Sequence, residues 1–464
     1  MKAFPYRLST SARPPRLQRR NRDVPACAGS VLIVVLWIAI GMVGIALNFA
    51  DSMALELRAA DNRASGVVAD QAIEGAARYV SYALANYATN GVMPNLPTEL
   101  ATAVPIGDAH FWIIGRETNS LSTSVQSDHV TFGLIDEASK INLNTSSTNI
   151  LQWLPNMTSD LLNAILDWRS TNGNGGTQLY YQMVQPPYQC KAAPFETVDE
   201  LRLVYGSSMD ILVGKDRNRN GILDPNEQDN GNGQSDSGLL EYVTVYSREP
   251  NIHSDGTMRT NVNNAVSLQP LLQARFGTSR ANQIMTRLGY SMSGPRRVTT
   301  GTLPGLLGFY LRSGMTSAEF AQISNDVTVS TSRFKQGRVN INTASLTVLS
   351  CLPGMDLGTA QQVVNYRQNN SGNLTTIAWI ADALGSSSSA LQSLAAGDYI
   401  TTQSYQFTAD IAAVGPHGRG YRRVKFVFDL SEGTPKILYR QDLSRLGWAI
   451  GENVRRAILA QNTQ

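Results

Sequence analysis

Ser30–Phe49 reads SVLIVVLWIAIGMVGIALNF, and the reading of this stretch decides the rest. Its twenty residues carry no charge, and Asp51 ends the run. At about 1.5 Å per residue it spans a bilayer core of about 30 Å. Lys2, Arg7, Arg13, Arg16, Arg19, Arg20 and Arg22 precede it, opposed only by Asp23. The positive-inside rule therefore predicts a single pass with a cytoplasmic N-terminus and the bulk of the chain outside. A secretory signal has a shorter apolar region, about 7–15 residues, closed by a small-residue cleavage site. Here helical patterning continues past the run. Gly29 stands at its near border, so a cut before the apolar segment, between Gly29 and Ser30, fits better than one after it.

Working outward, no proline interrupts Ser30 to Met93, and charged residues alternate with apolar ones beyond Asp51. The pattern predicts one helix from about Ser30 to Asn86, its first third in lipid and the remainder amphipathic. Such a helix needs a sheet to cover its apolar stripe. His110–Ile114, Val130–Ile135, Tyr405–Val414, Tyr421–Asp429 and Lys436–Tyr439 read as strands that supply it. The sheet would then be interrupted between about Asp136 and Thr401.

The interruption contains a repeat. Ile141-Asn142-Leu143-Asn144-Thr145 recurs as Val339-Asn340-Ile341-Asn342-Thr343, 198 residues later. At the same offset Leu154-Pro155 matches Leu352-Pro353, and Trp168-Arg169 matches Tyr366-Arg367. Asn261-Val262-Asn263-Asn264-Ala265, followed by a helical pattern through Leu288, is a weaker third copy. Each copy predicts an opening strand, a helix N-cap at Thr145 or Thr343, a Leu-Pro hairpin and a second helix ending in Arg. This is a helix–hairpin–helix unit. Such units often hold a DNA phosphate on hairpin amides beside a Lys or Arg. The hairpins here, 154–160 and 352–358, contain no Lys or Arg and each carries an Asp. No nucleic acid is expected.

Asp216-Arg217-Asn218-Arg219-Asn220-Gly221-Ile222-Leu223-Asp224-Pro225-Asn226-Glu227 fits the twelve-residue EF-hand loop pattern. Asp216, Asn218, Asn220 and Asp224 fall at positions 1, 3, 5 and 9, Gly221 at 6, the carbonyl of Ile222 at 7 and Glu227 at 12. An all-oxygen set of this kind predicts a structural calcium ion. Asp229–Asp236 reads as a second, degenerate loop.

The formal charge of +3 belongs to the first 29 residues, which carry seven positive charges and one negative. Without them the chain is −3, so its basic balance gives no argument for a nucleic-acid partner. Cys190 and Cys351 would remain, either as one disulfide or as thiols. None of His110, His129, His253 and His417 has a zinc-ligand spacing or a nucleophile-elbow context, and no phosphate loop occurs. An enzyme is not expected.

Taken together, Gly29 before an apolar helix, the interrupted sheet, the paired repeats, IDEASKINLNT, AILDWR, PFETVDELRLVYG and the closing ILYRQDLSRLGW resemble one family. It is the K-type minor pseudopilin of type II secretion, the general secretion pathway protein K family. The resemblance implies an α+β fold: a pilin-like long N-terminal helix on an antiparallel sheet, interrupted by a large, mostly α insert with helix–hairpin–helix (SAM-like) repeats. The corresponding boundaries are a leader at 1–29, the helix at 30–88 and the first part of the sheet at 89–135. An insert follows in two subdomains, 136–255 with the calcium loop and 256–400, and the rest of the sheet lies at 401–464. It also implies processing by the prepilin peptidase at Gly29/Ser30 and residence in the inner membrane with the bulk in the periplasm. The implied partners are the I- and J-type minor pseudopilins, and the implied place is the pseudopilus tip, near secreted substrate or the outer-membrane channel. Val34, the fifth residue after Gly29, fits the tip, because most pilins carry a Glu there that pairs with a neighbour's N-terminus. At the end of the filament such a Glu would sit unpaired in the membrane, at about 2.5–3.5 kcal/mol. The alternatives are a pilin-like DNA-binding protein of DNA uptake and a minor pilin of a type IV pilus.

Overall fold

A computed structural model describes residues 28–87, 91–94, 97–120, 129–171, 178–227, 237–290 and 302–461. The basic arm up to Cys27 and the degenerate loop Asp229–Asp236 lie outside the described residues. The chain divides into two compact units, Met1–Asp61 and Asn62–Gln464.

One helix runs Ala28–Tyr87, as the uninterrupted pattern predicts. Its side chains in the first unit are exposed from Val31 to Ala60. Among the described residues it is the one helix long and apolar enough to cross a membrane. In the second unit its character changes. Ala69, Ala72, Ile73, Ala76, Ala77, Val80 and Leu84 recur at helical spacing and are all buried.

That stripe lies against an antiparallel sheet of β1 (Val104–Ile106), β2 (Ala109–Ile114), β3 (Gln406–Val414), β4 (Arg422–Asp429) and β5 (Lys436–Asp442), in that spatial order. Alternation divides the side chains between its faces. Phe111, Ile113, Phe407, Ala409, Ile411, Ala413, Val424, Phe426 and Phe428 meet the helix. Trp112, Ile114, Ala412 and Val414 meet a second apolar cluster with Ile222, Ala449 and Ile450. Central β3 is covered on both faces, so every one of its nine residues is buried.

One expected strand needs correction. Val130–Ile135 is not a continuous strand: Phe132 makes one isolated bridge to Ile114, and only Ile135–Asp136 pairs with β3. Gly133, at φ +147°, breaks the run between them. Conversely, the edge strand β1 was obscured by Pro105, which a sheet tolerates only at its edge.

Between β2 and β3 the repeat appears three times with one internal architecture. Ile141–Asn142 pairs in parallel with Val243–Thr244, Thr260–Asn261 with Val327–Thr328, and Val339–Asn340 with Ile400–Thr401. In each opening strand the Asn carbonyl oxygen accepts the amide two residues on: Asn142 from Asn144, Asn261 from Asn263, Asn340 from Asn342. In each closing strand the Thr hydroxyl does likewise, for Tyr246, Ser330 and Gln403. The first and second helices are Thr148–Leu151 and Ser159–Arg169 in the first copy, and Leu346–Ser350 and Leu357–Asn369 in the last. Arg169 donates to the carbonyls of Leu143 and Ser146, and Arg367 to the equivalent Ile341 and Ala344. In the middle copy Ala265–Arg287 is continuous except at Gly277, φ +77°, which stands where the others have a hairpin.

Thr145 and Thr343 are not the N-caps. Ser147 and Ser345 occupy those positions, because the Asn-held turns at 142–144 and 340–342 carry the chain two residues further before it can coil. Thr343 instead donates to the Asp136 carboxylate at 2.5 Å, tying this repeat to the strand Ile135–Asp136.

Cys190 and Cys351 are both free thiols. Burial pushes the Cys351 thiol up to about 12. Only the thiolate alkylates. Cys351 should therefore stay unmodified by iodoacetamide at pH 8 in the folded chain while half-buried Cys190 reacts, as read by peptide mass mapping. Equal labelling of the two would contradict this packing.

Candidate functional site

The loop 216–227 leaves the first repeat after the helix Met209–Leu212. Gly214 and Ser237 bridge its neck, and the Gly238 amide donates to the Val213 carbonyl at 3.0 Å. Inside, Asp216 accepts the amides of Asn220 (3.0 Å) and Gly221 (2.7 Å). Gly221, the residue at position 6, has φ +85°, the sharp turn that such a loop needs. Glu227 accepts the amides of Arg217 (2.7 Å) and Asn218 (3.3 Å) on one oxygen and that of Asp224 (3.1 Å) on the other. The side-chain amides of Asn218 and Asn220 both reach Asp224 Oδ2, at 2.5 and 2.8 Å. Five of the six predicted positions thus fold back on one another through their side chains. The sixth, Ile222, donates its amide to Asn220 Oδ1 at 3.0 Å.

Asp216, Asn218, Asn220 and Asp224 are all buried. Burial pushes the Asp216 carboxyl above its ordinary range despite the nearby Arg116, and it pushes Glu227 the same way. Carboxylates drawn together out of water in this manner suit a hard cation, which would reverse that upward push. Rotating either asparagine amide presents an oxygen where its nitrogen now meets Asp224. Among the described residues no three His, Cys, Asp or Glu side chains gather as a metal cluster. The set here depends on amides and a carbonyl, the donors of calcium rather than of zinc.

The outer side of the loop is fastened to the sheet. Ile222 enters the cluster of Trp112, Ile114, Val414 and Ile450. Arg423 of β4, fully buried, donates to the carbonyls of Asn218 and Arg219, and Arg116 adds a 2.8 Å bond to the latter. Asn218 also donates to the Trp448 carbonyl at 2.9 Å. Arg116 and Arg423 carry no recognisable motif. Their only trace in the sequence is a charged residue within each of two apolar stretches.

The two full hairpins are closed off by their own residues. Asn156 and Gly354, 198 residues apart, both take the left-handed conformation at the tip, φ +57° and +76°. Thr158 caps the helix Ser159–Arg169 and Asp356 caps Leu357–Asn369, at 3.2 and 2.7 Å. An amide and a helix end that would serve a phosphate are therefore already engaged, one of them by a carboxylate.

Residues 335–394, covering the last repeat, match the family model described as helix-hairpin-helix motif. Residues 148–213, the first repeat up to the neck of the loop, match the model described as type II secretion system (T2SS), protein K. No curated protein matches the sequence. One solved structure that is similar is described as "The Crystal Structure of the GspK-GspI-GspJ complex from enterotoxigenic Escherichia coli Type 2 Secretion System". The likeness covers 81% of this chain and 95% of that one, at 9% identity and a TM-score of 0.37. Residues 148–213 thus carry a match to a type II secretion system protein K domain, in a chain that also has a long N-terminal helix and an antiparallel sheet.

Proposed function

We propose that this chain caps the pseudopilus of type II secretion as a non-enzymatic tip subunit, supporting protein export across the outer membrane. The observation that carries this reading is the helix Ala28–Tyr87, whose apolar side chains are exposed up to Asp61 and whose following turns cover a pilin-like sheet. An exposed apolar helix of this length suits the inner membrane first and the core of a filament afterwards. The three repeats between β2 and β3 supply bulk that a stacked subunit has no room for, which favours the end of the filament. Val34, without a carboxylate to pair, fits the same place. The family reading brings the I- and J-type minor pseudopilins as partners, the prepilin peptidase as processing enzyme, a cytoplasmic N-terminus and a periplasmic body. Secreted substrate or the outer-membrane channel would meet the repeats. Calcium in the loop Asp216–Glu227 would have a structural role.

The test is the N-terminal residue of the membrane-extracted protein, read by mass spectrometry with and without the prepilin peptidase. The expected result is a start at Ser30 only when the peptidase is present, together with co-purification of the I- and J-type subunits. An intact leader, or a cut beyond Phe49, would remove the chain from the filament and end the tip reading.

A further inference from the structure

The middle repeat differs from the rest of the chain in charge. Residues 256–334 contain eight arginines and no lysine, against Glu319 and Asp326 alone. Outside this stretch and outside residues 1–29, 24 basic residues stand against 33 acidic ones. A net charge of +6 is thus concentrated in one module of an otherwise acidic body.

Beside this module lies an open cleft of about 710 Å³, within the size range of ligand pockets. Its walls come from three places: the segment leading into the middle repeat (His253, Arg259), the short arm that pairs Arg248–Pro250 with Phe334–Gln336 (Arg333, Phe334), and the end of the sheet (Tyr405, Glu432). Glu432 is the one carboxylate on the lining, and Arg248 and Lys436 already hold it. Arg333 is exposed and has no ion pair among the described residues. Arg259 is half-buried, and its Nε has no acceptor. Burial lowers its affinity for its own proton and Arg338 adds to this, while Tyr405, Glu249 and Asp326 act the other way, the direction in which an added anion would also act. Elsewhere on the module, arginine already meets carboxylates as a fork: Arg280 bonds both oxygens of Glu319, at 2.7 and 2.8 Å.

We infer that this cleft binds an acidic segment of a partner protein, with its carboxylates on Arg259 and Arg333 and its backbone along Phe334 and Tyr405. A nucleic acid is the weaker occupant. The middle copy has Gly277 where a phosphate-binding hairpin would be. A concavity of this size also admits a few residues of an extended chain rather than a duplex. The carboxylates could come from side chains or from a chain terminus, and the probes below separate the two.

The experiment uses the full chain in detergent micelles and fluorescence anisotropy. The probes are a labelled Glu-Ser octapeptide with an amidated C-terminus, its Gln-Ser counterpart with a free C-terminus, the Gln-Ser peptide amidated, and an eight-residue oligothymidylate. The expected result is binding of one or both carboxylate-bearing peptides, weakened by salt, and none of the amidated Gln-Ser peptide. Arg333→Gln, an exposed change that leaves the fold alone, should weaken binding about tenfold, roughly one charge-assisted hydrogen bond. Arg259→Gln should do at least as much. Arg287→Gln and Arg312→Gln, on the same basic module but not on the cleft lining, should leave binding within about twofold. The inference is overturned if no carboxylate peptide binds, if all four substitutions weaken binding alike, or if the oligothymidylate binds more tightly than either peptide.

Discussion

Arg423→Ala is expected to cost about 3–5 kcal/mol of stability, the usual penalty for removing one partner of a buried ion pair. Arg423 is completely buried in β4. It holds both oxygens of Asp410 on the adjacent β3, Nε to Oδ1 at 2.8 Å and Nη2 to Oδ2 at 2.5 Å. Its remaining donors take the carbonyls of Asn218 and Arg219. Truncation leaves a carboxylate between sheet and loop with only Arg116 and Lys425 opposing it, and takes from the Asn218 carbonyl its Arg423 donor. Arg423→Lys keeps the charge but not the fork, and should recover only part of the loss. Arg423→Ala with Asp410→Ala should be less unstable than the sum of the single changes, because the stranded charge is then gone. The pH dependence has a definite sign. Burial alone would raise the Asp410 carboxyl, but Arg423 holds it below the ordinary range. A depressed carboxyl contributes stability above its unfolded value near pH 4, and loses that contribution as pH falls further through its folded value. In Arg423→Ala the same carboxyl is raised, so the deficit should be largest at pH 7 and shrink on acidification. Urea unfolding of the full chain in micelles at pH 7 and pH 5 measures both. A loss under about 1 kcal/mol at pH 7 would show that the pair contributes nothing beyond a surface bridge.

Such a pair explains which parts of the molecule were legible beforehand. The long helix could be read because its period and the absence of proline persist over sixty residues. Strands β2, β3, β4 and β5 could be read because each is a continuous run between turn residues. The two outer repeats could be read because a common offset of 198 leaves little to chance, and the turn-forming Asn142 and Asn340 occupy the same place in both. The caps fall at Ser147 and Ser345 rather than Thr145 and Thr343 because those asparagines delay the helices, which propensity at the threonines does not show. Val130–Ile135 failed because one glycine at positive φ outweighs five residues of β propensity. The middle repeat is faint in the sequence because its hairpin is gone. The dipeptides Val243-Thr244, Val327-Thr328 and Ile400-Thr401 would have marked all three closing strands. Arg423 and Asp410 could not be found at all, since a charge within a strand ordinarily faces water and only the loop docked above them makes the site dry.

If the loop Asp216–Glu227 holds the proposed calcium ion, its removal is the other change with a large expected effect, on the far side of the same junction. An ion bound only by the folded loop stabilises by about 2.7 kcal/mol at a hundredfold excess over its Kd and about 4.1 kcal/mol at a thousandfold excess. Chelation should therefore lower the melting temperature of the full chain by several degrees, and calcium added back should restore it where magnesium does not. Asp216→Asn with Glu227→Gln should remove the calcium increment, and because both carboxylates accept loop amides it should lower the calcium-free melting temperature as well. If the ion raises that variant as much as the parent, the loop is not the site. The structure also predicts what the ion is for. Ile222 sits among Trp112, Ile114 and Val414, Asn218 donates to the Trp448 carbonyl, and Arg423 holds the carbonyls of Asn218 and Arg219. Ordering the loop on an ion therefore presses it onto the sheet beside Trp112 and Trp448, and calcium should shift tryptophan emission in the parent but not in the double variant. The coupling must run both ways: if the ion strengthens the grip of the loop on Arg423, then Arg423→Ala must weaken calcium binding by the same factor. Equal calcium affinity in the parent and in Arg423→Ala would reduce the loop to a self-contained ion site. A matched loss would make it the clasp that fixes the first repeat to the body of the subunit.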